Sequence, residues 1–154
     1  MSGVRFLEDI SVGDTDTFGR YEVTEAEVLE FARAFDDQPF HTDPEAAKSS
    51  IYGGLIASGW HTCAMMMRMI IDHAMSSGTP AAVLGSPGFD DLKWLEPVRP
   101  GDVLSLRSEV IDVVPSTSKP DRGHIRVHTQ ILNQSGTVVA EMKNLAIVLR
   151  RPTP

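Results

Sequence analysis

From Val4 to Val23 apolar and polar positions alternate loosely around the turn pair Gly13-Asp14, which predicts an extended lead-in ending near Glu22 and Val23. Thr24 stops it. Thr24-Glu25-Ala26-Glu27 has capping-box spacing, and Val28, Phe31, Ala32 and Phe35 recur on one helical face, predicting a helix from about Glu25 to Phe35. Asp43-Pro44-Glu45 repeats the start signal, with Asp as N-cap and Pro at the first helical position, so a second short helix is expected from about Pro44 to Ser49. Between the two helices the pattern predicts a tight polar turn.

Gly53-Gly54 breaks the chain again. From Ser58 to about Ser77 the apolar residues occupy nearly every helical direction, among them Trp60, Cys63, Met65, Met66, Met67, Met69, Ile70, Ile71 and Met75. A helix apolar all round is a buried one, and its methionines are read as core. After Gly78-Thr79-Pro80 the character becomes that of strands, at Phe89 to Leu95, Val103 to Val114, His124 to Asn133 and Thr137 to Leu149, forming an antiparallel meander. Ile125, Val127 and Ile131 share one face while His124, Arg126, His128 and Gln130 take the other. The expected architecture is a single α+β domain over residues 1–154, one antiparallel sheet wrapped around one long central helix.

Composition narrows the classes. With 154 residues, 42% of them hydrophobic, the chain fits one compact domain and not a disordered segment. Its 14 Lys and Arg against 21 Asp and Glu leave a net charge of −7, which disfavours nucleic-acid phosphate as a partner. A lone Cys63 closes no intramolecular disulfide, and an N-terminus carrying Arg5, Glu8 and Asp9 has no apolar signal core, so a reducing cytoplasm is the expected compartment. The apolar run from Cys63 to Ile71 is broken by Arg68 and falls short of the roughly 20 residues of a membrane span.

Reactive groups are densest in Asp36-Asp37-Gln38-Pro39-Phe40-His41-Thr42-Asp43, placed in the turn between helices. Pro39 disfavours helix at Gln38, and the reversal could bring Asp36 and His41 to one water or substrate atom. A carboxylate with an imidazole can move protons at neutral pH. Asp43 is explained by capping and Asp37 by solvation, leaving Asp36, directly after Phe35, as the candidate acid; the alternative is that these acids only form the turn. His41-Thr42-Asp43 also has the spacing of part of an iron triad, but His124 and His128 complete no metal site, and none is expected.

The second candidate segment is Tyr52-Gly53-Gly54-Leu55-Ile56-Ala57-Ser58-Gly59-Trp60-His61. Gly54 and Gly59 have the outer spacing of a phosphate-binding loop, yet Trp60-His61 stands where Lys and Ser or Thr must be, which excludes nucleotide hydrolysis. A helix start exposes unpaired N–H groups and about half a positive charge, so Gly59 would let a carbonyl oxygen approach and be polarised. A tight turn needing glycine for its backbone is the alternative. Cys63 reads as core and Ser58 as the N-cap of the long helix, so nucleophilic catalysis has little support.

Taken in order, these segments together with Pro97-Val98-Arg99-Pro100-Gly101-Asp102 resemble the MaoC-like, (R)-specific enoyl-CoA hydratase branch of the hot-dog fold. The family motif reads Asp-x-Asn-Pro-x-His. The resemblance implies Asp36 and His41 as catalytic residues and Gly59 as the oxyanion donor, with Gly54 and Ser58 as candidate substrate-binding residues; Gln38, Phe35 and Ser58 depart from the usual Asn, small residue and His. It further implies reversible addition of water across the 2,3 double bond of a trans-2-enoyl thioester, no cofactor, and a homodimer or dimer-based oligomer joined sheet edge to sheet edge. The partner is an acyl-CoA or acyl-carrier thioester, whose anionic arm would need a basic patch, for which Lys119, Arg122 and Arg150 are candidates. Thioester hydrolysis, and an acyl-CoA binding or assembly subunit without turnover, are the competing expectations.

Overall fold

The computed structural model describes residues 3–154. The lead-in is not one extended piece, because Leu7–Asp9 turns in a short 3-10 helix that tucks Leu7 and Ile10 against Ile125 and Val148. Strand β1 (Thr15–Glu22) follows. Thr24 then caps α1 (Glu25–Phe35) by accepting from the Glu27 amide at 3.3 Å, while the Glu27 carboxylate accepts from the Tyr21 hydroxyl.

The expected polar turn is a short helix, α2 (Pro39–Thr42), because Pro39 occupies its first position and needs no amide partner there. Asp43 caps α3 (Pro44–Lys48), accepting from Glu45 and Ala46 amides. The long helix, α4 (Gly59–Ser76), lies across the concave side of a six-stranded antiparallel sheet. Strand β4 (Val103–Pro115) pairs β1 on one side and β5 (Arg122–Leu132) on the other, and β6 (Val138–Leu149) pairs β5. The far edge of β6 carries two short strands, β3 (Phe89–Trp94) and β2 (Val83–Gly85), the latter without a sequence signal. Ser86-Pro87-Gly88 interrupts this edge, as proline does where a ladder amide is required.

The core lies between α1, α4 and the sheet, with Val28, Met65, Met69, Leu104, Leu106 and Ile131 buried in it. Each such side chain contributes about 1.5–3 kcal/mol of transfer free energy. Helix α4 is buried on one side only, which corrects the expectation of all-round burial. Met65, Met66 and Met69 are core, but Trp60 is 56% exposed, Met67 46% and Met75 79%. The sheet curls under one face of the helix, and the opposite face has no covering element among the described residues. Val83, Leu84, Phe89, Trp94 and Leu95, on or beside the interrupted edge, are exposed as well.

Candidate active site

Asp36 ends α1 as its C-cap, so its carboxylate leaves the helix as the chain turns towards α2. Phe35 does not direct it, being exposed. His41 sits on α2 and is 5% exposed; its ring packs edge-on against Phe40. The backbone that meets them is the segment before α4, held by the Ile56 amide donating to Phe40 O and the Ala57 amide donating to Val98 O. Arg99, from the turn before β4, donates to Tyr52 O and anchors the start of that segment. The two motif-bearing loops thus brace each other.

His41 Nδ1 lies 2.8 Å from Ile56 O. A carbonyl oxygen only accepts, so Nδ1 carries the proton and Nε2 of the neutral ring presents its lone pair. That Nε2 stands 3.4 Å from Asp36 Oδ2. The Ser58 hydroxyl donates to the same Oδ2 at 2.7 Å, and the Gln38 amide donates to Oδ1 at 2.6 Å. These two hydrogen bonds, the Ser58 one the larger, hold the Asp36 carboxyl below its ordinary range against the opposing effect of burial. The carboxylate is ionised at neutral pH.

Asp36, His41 and Gly59 line one cavity of about 440 Å³, with Gln38, Tyr52, Trp60 and Trp94 also on its wall. Gly59 is the first residue of α4, where a backbone amide has no partner within the helix. Its missing side chain has a cause the sequence did not suggest. A Cβ there would lie 2.2 Å from the Trp94 indole, whose Nε1 donates to Gly59 O at 3.0 Å. Glycine admits the indole, and the indole roofs the helix start.

Two of the expected substrate contacts stand off the cavity wall. Ser58 is fully buried and lines no part of the cavity; it precedes α4, but its hydroxyl serves Asp36 instead of capping the helix. Gly54 is also off the cavity wall, facing the Arg99 guanidinium. Of the candidate basic residues, Arg122 pairs with Asp121 and Arg150 with Glu8. Phe40, Tyr52 and Trp60 lie in the two candidate segments but were given no role on the wall, and Trp94 was missed altogether, because an aromatic residue in a strand reads as core until the loops are placed.

A family model described as MaoC like domain matches residues 9–130. The chain belongs to the MaoC-like dehydratase family. A MaoC-like dehydratase from Rhodospirillum rubrum is 43% identical in sequence, with 97% of this chain and 99% of that one aligned at a TM-score of 0.87. The unliganded R-hydratase from Pseudomonas aeruginosa, 23% identical over 96% of this chain and 86% of that one at a TM-score of 0.68, has the same fold. The 3-hydroxybutyryl-CoA dehydratase of Methylorubrum extorquens is 28% identical over 73% of this chain and 68% of its own length. The MaoC-like fold here is the hot-dog arrangement of a curled sheet about α4. No helix among the described residues is long and apolar enough to cross a membrane.

Proposed function

We propose that this MaoC-like protein hydrates trans-2-enoyl thioesters reversibly, on CoA or an acyl carrier. The observation that carries the reading is the pair of acceptors, Asp36 Oδ2 and His41 Nε2, set 3.4 Å apart on one cavity wall. Two lone-pair sites that cannot bond each other can each accept one hydrogen of a single water. The water oxygen then attacks C3 while its proton passes to His41 Nε2, and Asp36 stabilises the imidazolium that results. Charge moves through the double bond to the thioester oxygen, where the Gly59 amide receives it. The proton on Nε2 is returned to C2, so one water is added and the residues end as they began.

The exposed apolar face of α4 and the interrupted β2/β3 edge supply the surface for a homodimer in which two copies join edge to edge. The name of the Methylorubrum extorquens relative includes CoA and dehydration, which supports the same substrate class.

Incubation with crotonyl-CoA, following enoyl absorbance and free thiol together, tests the reading. Loss of absorbance without thiol is the expected result, and chiral analysis of the product gives its configuration, expected to be R. Thiol release with the double bond intact would replace hydration by thioester hydrolysis, and binding with neither change would leave an accessory subunit.

A further inference from the structure

No Lys or Arg lines the catalytic cavity among the described residues, and two of its wall residues, Asp36 and Glu96, are acidic. The anionic end of a thioester carrier is therefore repelled from the chamber and needs a cation just outside it. Among the described residues, Arg99 is the one Lys or Arg whose side chain is hydrogen-bonded to a wall residue, through its donation to Tyr52 O. Tyr52 is the far end of an aromatic path: the Phe40 ring centroid lies 4.5 Å from that of His41 and 5.4 Å from that of Tyr52, and all three residues line the cavity. A pantetheine arm, a flexible chain with two amide links, can cross that path with its thioester at His41 and its phosphate beyond Tyr52.

The fold leaves most of the Arg99 guanidinium uncommitted. Only Nη2 has a hydrogen-bond partner among the described residues, the neutral oxygen of Tyr52. Asp102 accepts from the Arg99 backbone amide and from Gln134, and no carboxylate among the described residues forms an ion pair with the Arg99 side chain. A half-buried guanidinium without a counter-charge favours an anion beside it. The chain is also bare on that side. A Cβ at Gly54 would stand 3.3 Å from Nη1, and one at Gly53 would meet nothing within 4 Å, so the two glycines leave the Nη1 side of the guanidinium uncovered.

Resting on the hydration reading for the thioester end, we infer that Arg99 binds the phosphate at the end of the carrier's pantetheine arm, through the Nη1 side that Gly53 and Gly54 leave open. The phosphate is common to CoA and to a carrier protein, and Arg99 recognises it on either.

Crotonyl thioesters of pantetheine and of 4′-phosphopantetheine differ by the phosphate alone and test this. The native protein is expected to favour the phosphorylated arm in kcat/KM by about tenfold, with the advantage shrinking as salt is raised. Arg99→Gln is expected to bring that ratio close to one, and Arg99→Lys to keep part of it. Should Arg99→Gln fail to fold, Gly54→Asp places a carboxylate beside Nη1 while leaving the bond to Tyr52, and the same fall in the ratio is expected. Crotonyl-CoA and a crotonyl-loaded acyl carrier protein distinguish the two sources of the arm, and Arg99→Gln is expected to lower kcat/KM for the better of the two by a similar factor; no drop with that substrate would overturn the inference. So would a native protein that treats the two arms alike, or a folded variant that loses equally on both, which would reduce Arg99 to an anchor for Tyr52. Absence of hydration of every thioester would instead sink the hydration reading, and calorimetric binding of butyryl-4′-phosphopantetheine against butyryl-pantetheine would still decide the role of Arg99.

Discussion

With the ring neutral, His41 Nε2 and Asp36 Oδ2 face each other across 3.4 Å as two acceptors, because its one proton is committed on the other side to Ile56 O. Under the hydration reading this makes both residues indispensable. Asp36→Asn and His41→Ala are each expected to lower kcat/KM for crotonyl-CoA by at least about 10²-fold, with circular dichroism unchanged. Full activity in Asp36→Asn would remove Asp36 from the mechanism.

Ser58 acts on the chemistry without touching the cavity. Its hydroxyl is the largest influence holding the Asp36 carboxyl down, so Ser58→Ala is expected to raise the Asp36 midpoint towards its ordinary value. Because the folded value is depressed, Asp36 adds stability above its ordinary range and loses it as pH falls through the folded value. The variant should show a smaller loss over that acid window. Carbon-detected NMR titration of the carboxyl, beside thermal melts at several acid pH values, reads both effects.

Gly59 and Trp94 occupy one space between them. Gly59→Ala would force a Cβ to within 2.2 Å of the indole, an overpacking expected to cost about 1–3 kcal/mol of stability. Adding Trp94→Ala is expected to relieve that clash, so the double variant should fall short of the sum of the single losses. Strict additivity in urea unfolding would show that the contact is not what demands glycine.

The chain ends are tied by charge. Glu8 accepts from the Arg151 amide and the Arg150 guanidinium, and these bonds bring its carboxyl down to about 2. Its contribution is present above the ordinary Glu range and disappears as pH falls through about 2. Glu8→Gln is expected to lower Tm at neutral pH, with the gap to the native protein closing near pH 2. A gap that stays constant with pH would assign the effect to packing.

The outward face of α4 offers a test of association. Met67→Lys with Ile71→Lys places two like charges on the exposed apolar face. Under the homodimer reading, sedimentation should then show a smaller species than the native protein; a native protein that already sediments as a monomer would overturn that reading, and an unchanged coefficient for a native dimer would place its interface elsewhere.

Much of this was legible in the sequence because local chemistry and fold agree. Thr24 and Asp43 cap the helices their spacing announces, and alternation on β5 puts Ile125 and Ile131 inward as expected. Long-range partners were less legible. The sequence paired Asp36 with His41 but not with Ser58, 22 residues away, whose hydroxyl was read as a helix cap. Periodicity reports how apolar a helix is and not how much of it the sheet can cover, so Met67 and Met75 were misplaced. The short strand β2 was lost because three residues carry too little pattern, and α2 because a single turn of helix resembles any other turn.

Trp94 belongs to the outermost strand and yet forms the ceiling over the first residue of α4. A rim element therefore carries a wall of the reaction chamber, and any agent that peels the rim away would open the chamber to solvent while most of the core stayed intact. Under the hydration reading, turnover would then fade before the global unfolding transition.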